Sequence, residues 1–328
     1  MNVCRYVVTG AGGFIGYQLA NALAAQGHSV VGVDLHFPDA AGPVGPPRFS
    51  PVTTDFRNTP RMKAVLHGTQ VLFHLASAHL QVSLPAAEYW DVNVHSVPRL
   101  LELARQAGVS RCVHTSSVGV FGDVGSMPAT EETVPRPQSV YGETKLAGEE
   151  AALDYGRDHR LDLVVLRPAW VYGPGCPRTE KLCRALRKRR FVMIGAGDNL
   201  RHPIYIEDMI EAFRLAAVCP EAVGKTLIIA GERAVTTREL VDGFCTTFGF
   251  PPPPLRIPYG AAMTVAYCTE RLCSLFGSEP PFSRRTLEFF DTNNAFDISR
   301  ARAILGFTPR YPLLAGLSAM RQWIGTTS

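Results

Sequence analysis

The 328-residue chain is 46% apolar and 19% charged, the balance of a folded protein with a sizeable core, which excludes a mainly disordered chain or a small stapled scaffold. Its 33 basic and 29 acidic residues leave a net charge of only +4, too even for a protein that coats nucleic acid, so any anion site must be local. The eight cysteines form no C-x-x-C pair and stand at no zinc-ligand spacing, which reads as reduced thiols without metal or disulfide framework.

The opening residues MNVCRYVVTG already read as a strand, Tyr6–Thr9, with no room for a charged and then apolar leader, and no run is long and apolar enough to span a membrane. The expectation is a cytoplasmic protein without a transmembrane segment. A helix follows at Phe14–Gln26, closed by Gly27, then a strand at Ser29–Asp34 and a Gly- and Pro-punctuated loop at Ala40–Pro47. Helices at Thr59–His67 and Ala86–Ala107 alternate with strands at Val71–Leu75 and Arg111–Thr115. Apolar, β-branched strands alternating with helices predict an α/β fold, a Rossmann doubly wound parallel sheet.

Beyond Arg167 the alternation weakens, with helical pieces at Glu180–Arg190, Asp208–Val218, Thr237–Phe248 and Arg300–Leu305, and the prolines 251–254 forming an extended linker. The division expected is a Rossmann domain over 1–170, with contributions from about 204–230, and a smaller C-terminal α/β region over 171–328 that mainly holds substrate. His74 and His114 read as satisfied core histidines, Asp208 and Asp297 as helix N-caps, and no cysteine has a base beside it that would make it a nucleophile.

Two patterns carry chemistry. In Thr9–Gly16, TGAGGFIG, the glycines at 10, 13 and 16 let the chain turn sharply from strand to helix, so that Phe14, Ile15 and Gly16 present backbone N–H groups to a pyrophosphate at the positive helix end. Asp34 ends the next strand, placed to accept hydrogen bonds from the adenosine ribose; its charge repels a 2′-phosphate and favours NAD over NADP. The second pattern is Tyr141-Gly-Glu-Thr-Lys145. At i and i+4 the two side chains share a helix face, and an ammonium draws a phenol toward neutrality so that it can exchange a proton with a substrate hydroxyl. Ser116 and Ser117, just past a strand end, supply a hydroxyl to hold the same oxygen.

Together with HLAS at 74–77, Asn93, TSSVGVFG at 115–122, LRPAWVYGPG at 166–175 and DISRARAILGFTP at 297–309, these motifs resemble the extended short-chain dehydrogenases/reductases over nearly the whole chain. The resemblance implies an NAD-dependent enzyme with Ser117, Tyr141 and Lys145 as catalytic residues. It also implies a cofactor site of Gly10, Gly13, Phe14, Ile15, Gly16, Asp34, Asp55, Phe56, Leu75, Ala76, Ser77 and Pro168, to which Tyr141 and Lys145 contribute. In it Asp55 contacts adenine, Lys145 holds the nicotinamide ribose, and Asn93 is mainly structural. Counting back from Gly122 selects Ser117 over Ser116. Homodimerisation through the Rossmann helices is implied as well.

The substrate stays open between two chemistries. Val118 and Gly119 follow Ser117 where related dehydratases and decarboxylases carry an acid, leaving hydride transfer at a secondary alcohol carbon. Arg201, at the position of an arginine that grips a substrate diphosphate, and the cations 178, 181, 184 and 187–190 favour a nucleotide-sugar 4-epimerase-like enzyme. Trp170, where such epimerases carry an Asn, favours an apolar substrate, as in a 3β-hydroxysteroid dehydrogenase or ketone reductase; Ile204–Ile206 and Pro280–Arg285 resemble that group. An NAD-sensing binding protein is the non-enzymatic alternative. The expected partner is a small molecule, not nucleic acid.

Overall fold

A computed structural model describes residues 3–38, 48–79, 84–125, 127–275 and 284–326. The loop expected at 40–47 lies outside them, as do residues 280–283 and the side chains at 284 and 285.

Seven parallel strands form the central sheet: β1 (Arg5–Thr9), β2 (Ser29–Asp34), β3 (Ser50–Thr53), β4 (Val71–His74), β5 (Arg111–Thr115), β6 (Leu163–Pro168) and an edge strand at Thr226–Ile229. Their spatial order is edge strand, β6, β5, β4, β1, β2, β3. The chain winds one way from β1 through β3 and the other from β4 onward, so a crevice opens at the carboxyl ends of β1 and β4. Successive side chains serve opposite faces: Val7 and Leu72 pack with Leu100 and Leu101, while Val8 and Phe73 pack with Leu19 and Phe213. Burial on both faces is why these strands read as unbroken apolar runs.

Helices α1 (Phe14–Ala25) and α2 (Thr59–Leu66) stand where expected, and Gly27 ends α1 at φ +88°. The long helix expected at Ala86–Ala107 is instead α3 (Ala86–Trp90), one π-helical turn (Asp91–His95) and α4 (Ser96–Gln106). The wide turn carries Asn93, which is buried and bonded at both ends of its amide. Its Oδ1 accepts from the Ala78 N–H (2.8 Å) and Ser77 Oγ (3.0 Å), and its Nδ2 donates to Ala78 O (3.1 Å) and Thr144 Oγ1 (3.0 Å). Periodicity does not reveal a single π turn, because the apolar stripe resumes after it.

Beyond β6 the short strands Trp170–Tyr172 and Pro203–Tyr205 pair in parallel, as do Val192–Ile194 and Leu255–Ile257, and residues 251–253, expected as an extended linker, form neither helix nor strand. Asp208 is not an N-cap. It lies inside the helix Ile206–Val218, where its buried carboxylate accepts from the N–H groups of Arg310 (2.9 Å) and Tyr311 (3.1 Å), tying the C-terminal segment to the domain. Asp297 accepts from the N–H of Ser299, at the entry of the helix Ser299–Leu305.

The two core histidines differ. His74 Nδ1 shares a hydrogen bond with Thr9 Oγ1 (2.7 Å), whereas both ring nitrogens of buried His114 lack a partner among the described residues, contrary to expectation. Burial, with the Lys145 charge adding to it, pushes His74 down to about 3 and His114 well below its ordinary value. Both are neutral when folded and take up protons when unfolded, so their contribution is complete above about pH 6.5 and is lost as pH falls toward about 3. His114→Leu, which removes one such group without orphaning a partner, should shrink the fall in Tm between neutral and mildly acidic buffer. An unchanged fall would remove His114 from the acid sensitivity.

Candidate active site

At Gly10 (φ +75°) a Cβ would lie 2.7 Å from the Leu75 carbonyl carbon and the Ala76 nitrogen, and at Gly16 one would lie 2.1 Å from Gly10 O. Only glycine lets the β1–α1 turn close this tightly under the exit of β4. Gly13 is the N-cap of α1 and no side chain caps that helix, so its first N–H groups are left for an anion at the positive helix end. Asp34 fixes the turn from the neighbouring strand: Oδ2 accepts from the Gly12 N–H (2.9 Å) and Oδ1 from the Leu35 N–H (2.7 Å).

The other expected cofactor residues line the same edge. Leu75 N–H donates to Thr9 O (3.1 Å) and Ala76 N–H to Thr9 Oγ1 (3.3 Å), while Pro168 ends β6. Asp55 accepts from Arg57 through both carboxylate oxygens, Oδ1 from the backbone N–H (2.8 Å) and Nε (3.1 Å) and Oδ2 from Nε (3.0 Å) and Nη2 (2.7 Å), and Arg57 reaches on to Glu88 and Asp91. Burial would raise the Asp55 carboxyl, but the hydrogen bonds from Arg57 outweigh it and hold it below its ordinary value. Phe56 is buried edge-on to His74 at 5.0 Å between ring centroids. A glycine-lined turn, an uncapped helix end and an acid at the tip of β2 fit a dinucleotide.

Ser117 and Tyr141 meet because two turns pack without a gap. Ser117 caps the short 3-10 turn Val118–Phe121, its Oγ accepting from the Gly119 N–H (3.0 Å), and Ser139 caps α5 (Val140–His159) by accepting from the Gly142 N–H (3.2 Å). A Cβ on Gly142 would lie 2.6 Å from Gly119 O, so the two caps lie flush. Ser117 Oγ and the Tyr141 ring both border Gly119, where a Cβ would lie 3.2 Å from the hydroxyl oxygen and 3.6 Å from the ring. Ser116 Oγ is buried and without a partner among the described residues, on the other side of the strand end.

Lys145, buried one turn along α5, donates from Nζ to Thr115 O (2.5 Å), and burial pushes it down to about 8 against the pull of Glu149. Burial also raises the Tyr141 phenol, against the opposing pull of the Ser117 side chain and the charge of Arg178. Glu149 itself forms a buried bidentate pair with Arg167 on β6, Nε to Oε2 at 2.9 Å and Nη2 to Oε1 at 2.7 Å.

Two site residues escaped the sequence reading. The His79 ring stands edge-to-face on Tyr141 at 4.7 Å, and burial together with the charges of Arg178 and Lys145 holds it down at about 4, hence neutral. Arg178, which opens α6 (Pro177–Arg187), counted only as one member of a basic run. Both lie on segments leaving the carboxyl edge of the sheet, the signal that could have found them.

The substrate-side residues form a second cluster. The Arg201 guanidinium lies 4.6 Å over the Phe289 ring, donates to Phe289 O and to Thr292 Oγ1 (3.3 Å), and is pushed down to about 10 by burial, against the charge of Asp123. Trp170 meets the same ring at 6.5 Å, and its indole N–H is buried without a partner among the described residues. Phe289, which bridges Trp170 and Arg201, was not anticipated.

A family model described as the NAD dependent epimerase/dehydratase family matches residues 6–230. Among curated proteins the chain is 31% identical to a UDP-glucose 4-epimerase of Mycolicibacterium smegmatis over 96% of both chains. It is 27% identical, over 81% of its own length, to 3beta-hydroxysteroid-dehydrogenase/decarboxylase isoform 1 of Arabidopsis thaliana, of which it spans only 64%. Among solved structures, MoeE5 in complex with UDP-glucose and NAD matches with a TM-score of 0.78 at 29% identity, over 98% of this chain and 99% of that one.

Two substitutions test this geometry. Asp34→Ala should weaken NAD binding about tenfold to a hundredfold, the worth of one or two hydrogen bonds to a charged group, and relax discrimination against NADP in calorimetric titrations. An unchanged preference would sink the role of Asp34. Glu149→Ala leaves the Arg167 guanidinium buried and uncompensated and should cost about 3–5 kcal/mol in urea unfolding; a loss near zero would show that the pair does not anchor α5.

Proposed function

Because the chain belongs to the NAD-dependent epimerase/dehydratase family, we propose that it is an NAD-dependent enzyme moving hydride at a secondary alcohol carbon, most specifically a nucleotide-sugar 4-epimerase-like enzyme. The observation that carries the chemistry is that Ser117 Oγ and the Tyr141 ring meet at Gly119, at the carboxyl edge of the sheet beside the glycine-lined turn.

NAD would be held by the turn at Gly10–Gly16, with Phe14 and Ile15 in the first helical turn, by Asp34 at the ribose, by Asp55 and Phe56 near adenine, by Leu75, Ala76, Ser77 and Pro168 along the edge, and by Tyr141 and Lys145. When bound it supplies a hydride acceptor and donor. Ser117 Oγ orients the substrate hydroxyl, and Tyr141 Oη takes its proton as the carbinol is oxidised and returns it on reduction. Lys145, held at about 8 by burial, keeps a positive charge at neutral pH where the nicotinamide ribose is expected. Val118 and Gly119 leave the position after Ser117 without an acid, so elimination and decarboxylation have no proton donor there. A Cβ on Gly119 would itself lie 3.2 Å from Ser117 Oγ.

A nucleotide sugar is supported by the buried, positive Arg201 and by the likeness to the mycobacterial UDP-glucose 4-epimerase. A second reading, oxidation or reduction of an apolar secondary alcohol, is supported by Trp170, whose indole offers a single donor, and by the likeness to the plant hydroxysteroid enzyme. The proposal includes a cytoplasmic homodimer pairing through the Rossmann helices.

Tyr141→Phe should lower turnover by about 10²–10⁴-fold while NAD stays bound, and near-normal activity would take the tyrosine out of the mechanism. Denaturing the purified wild-type protein and quantifying the released dinucleotide by mass detection separates the two readings. Near-stoichiometric NAD, the outcome expected, marks a cofactor retained through a closed redox cycle, whereas an empty protein points to a dehydrogenase or reductase that exchanges it.

A further inference from the structure

The turn between β3 and α2 holds a charge cluster that hydride transfer does not use. Asn58 closes the turn by donating from its N–H to Asp55 O (3.0 Å), and its side chain then caps α2 by accepting from the Arg61 N–H (3.2 Å). Within the cluster one guanidinium meets three carboxylates. Nε, Nη2 and the backbone N–H of Arg57 hold both oxygens of Asp55. The remaining nitrogen, Nη1, lies 2.8 Å from Glu88 Oε1 on α3 and 2.7 Å from Asp91 Oδ2 at the start of the π-helical turn.

This turn stands beside the expected cofactor edge. Thr54 donates from its N–H to Asp34 O (2.9 Å), which joins the turn to the tip of β2, and Phe56 packs on His74 at the end of β4. Asp55 is therefore close to the acid expected at the adenosine ribose, and its side chain keeps 30% of its surface exposed. A carboxylate offers about four acceptor positions. Arg57 fills most of them and fixes the plane of the group without covering it. Against the effect of burial, these bonds hold the Asp55 carboxyl below its ordinary value, so it presents acceptors only. Next along the chain, the Phe56 N–H has no partner among the described residues. An ionised acceptor followed by an open N–H complements the edge of a 6-aminopurine, whose amino group donates and whose N1 accepts. Hypoxanthine reverses both groups, with an oxo group at C6 and a proton on N1.

We propose that Arg57 is a positioning residue for base selection: by holding both oxygens of Asp55 and anchoring them to Glu88 and Asp91, it makes the dinucleotide site choose adenine over an oxopurine. The proposal rests on the reading of Asp55 as the adenine contact. Each of the three guanidinium nitrogens already meets a carboxylate, so Arg57 acts through Asp55 and not on the base itself. An aspartate released from the fork samples other rotamers and must be ordered again when the base binds. It would also face Glu88 and Asp91 without their shared counter-charge, which drives the three carboxylates apart. Lysine is no substitute, because an ammonium is a point charge and lacks the planar fork that matches a carboxylate.

The test is equilibrium dialysis of the purified full chain against an equimolar mixture of NAD and nicotinamide hypoxanthine dinucleotide, carried to a constant ratio, with the bound dinucleotides released by denaturation and quantified by mass detection. Folded molecules alone set the bound ratio, so partial unfolding of a variant does not alter it. The wild type is expected to hold at least about tenfold more NAD, the worth of a hydrogen bond to a charged group. Arg57→Lys and Arg57→Ala should each lower that preference about threefold to tenfold, the cost of ordering one side chain, and Asp55→Asn should lower it as well. A role in stability alone would weaken both dinucleotides equally and keep the ratio, which would overturn the proposal. A preference lost in Asp55→Asn but kept in the Arg57 variants overturns it while leaving the adenine contact of Asp55 in place. A wild type without preference overturns both, since Asp55 then does not meet the base. If neither Arg57 variant folds, the double variant Glu88→Gln, Asp91→Asn decides: it removes the anchors of the guanidinium, so the preference is expected to fall, and an unchanged ratio overturns the proposal.

Discussion

The whole site depends on helix α5 lying flush against the sheet, and the buried Arg167–Glu149 pair is what clamps it there. Both side chains are nearly inaccessible, Thr226 Oγ1 adds a third hydrogen bond to Glu149, and the guanidinium sits 5.0 Å over Phe121. A buried pair of this kind is retained for geometry more than for net stability, because desolvation cancels much of the attraction. Here the geometry is specific. Glu149 is one turn from Lys145 and two from Tyr141, so fixing it to β6 fixes the height and rotation of both. Gly148 and Gly142 complete the fit: a Cβ at 148 would lie 2.0 Å from Asn93 O, and one at 142 would lie 2.6 Å from Gly119 O in the turn that Ser117 caps.

That rigid mounting sets the electrostatics. Two cations act on the site, Lys145 buried and Arg178 exposed. The buried one is partly discharged by its surroundings, and its charge acts on His74, His79 and His114. The exposed one acts on the phenol. An i,i+4 spacing therefore brought Tyr141 and Lys145 onto one face, as the helix demands, yet the ammonium turned to the Thr115 carbonyl because a buried donor must be paired.

What the sequence revealed follows the range of the interactions involved. The glycine turn, Asp34 and the first parallel strands were legible because each is set by residues a few positions apart: backbone space at Gly10 and Gly16, and apolar runs buried on both faces. Asn93 was rightly marked as structural, but the π turn that aims it was invisible. β3, β6 and the edge strand Thr226–Ile229 lacked flanking signals strong enough to be read alone and gain their identity from pairing partners. Asp208 misled for the same reason: a carboxylate at a helix start suggests a cap, while its true partners are about 100 residues away. His114 went wrong because burial alone says nothing of whether a ring finds a partner.

The division of labour in the chain follows from the same difference in range. Ser117, Tyr141 and Lys145 come from the segment after β5 and from α5, whose positions the sheet dictates. The aromatic and cationic cluster is assembled from segments that leave β6 and return late: Trp170, Arg201 and Phe289 are brought together over spans as long as 119 residues. Trp170, Arg201 and Phe289 stand outside the central sheet, so substitutions there leave the mounting of Ser117 and Tyr141 in place. A buried guanidinium stacked on Phe289 and, beside it, an indole N–H without a partner among the described residues thus form a polar and aromatic cluster of their own, built on different segments from those that hold Ser117 and Tyr141.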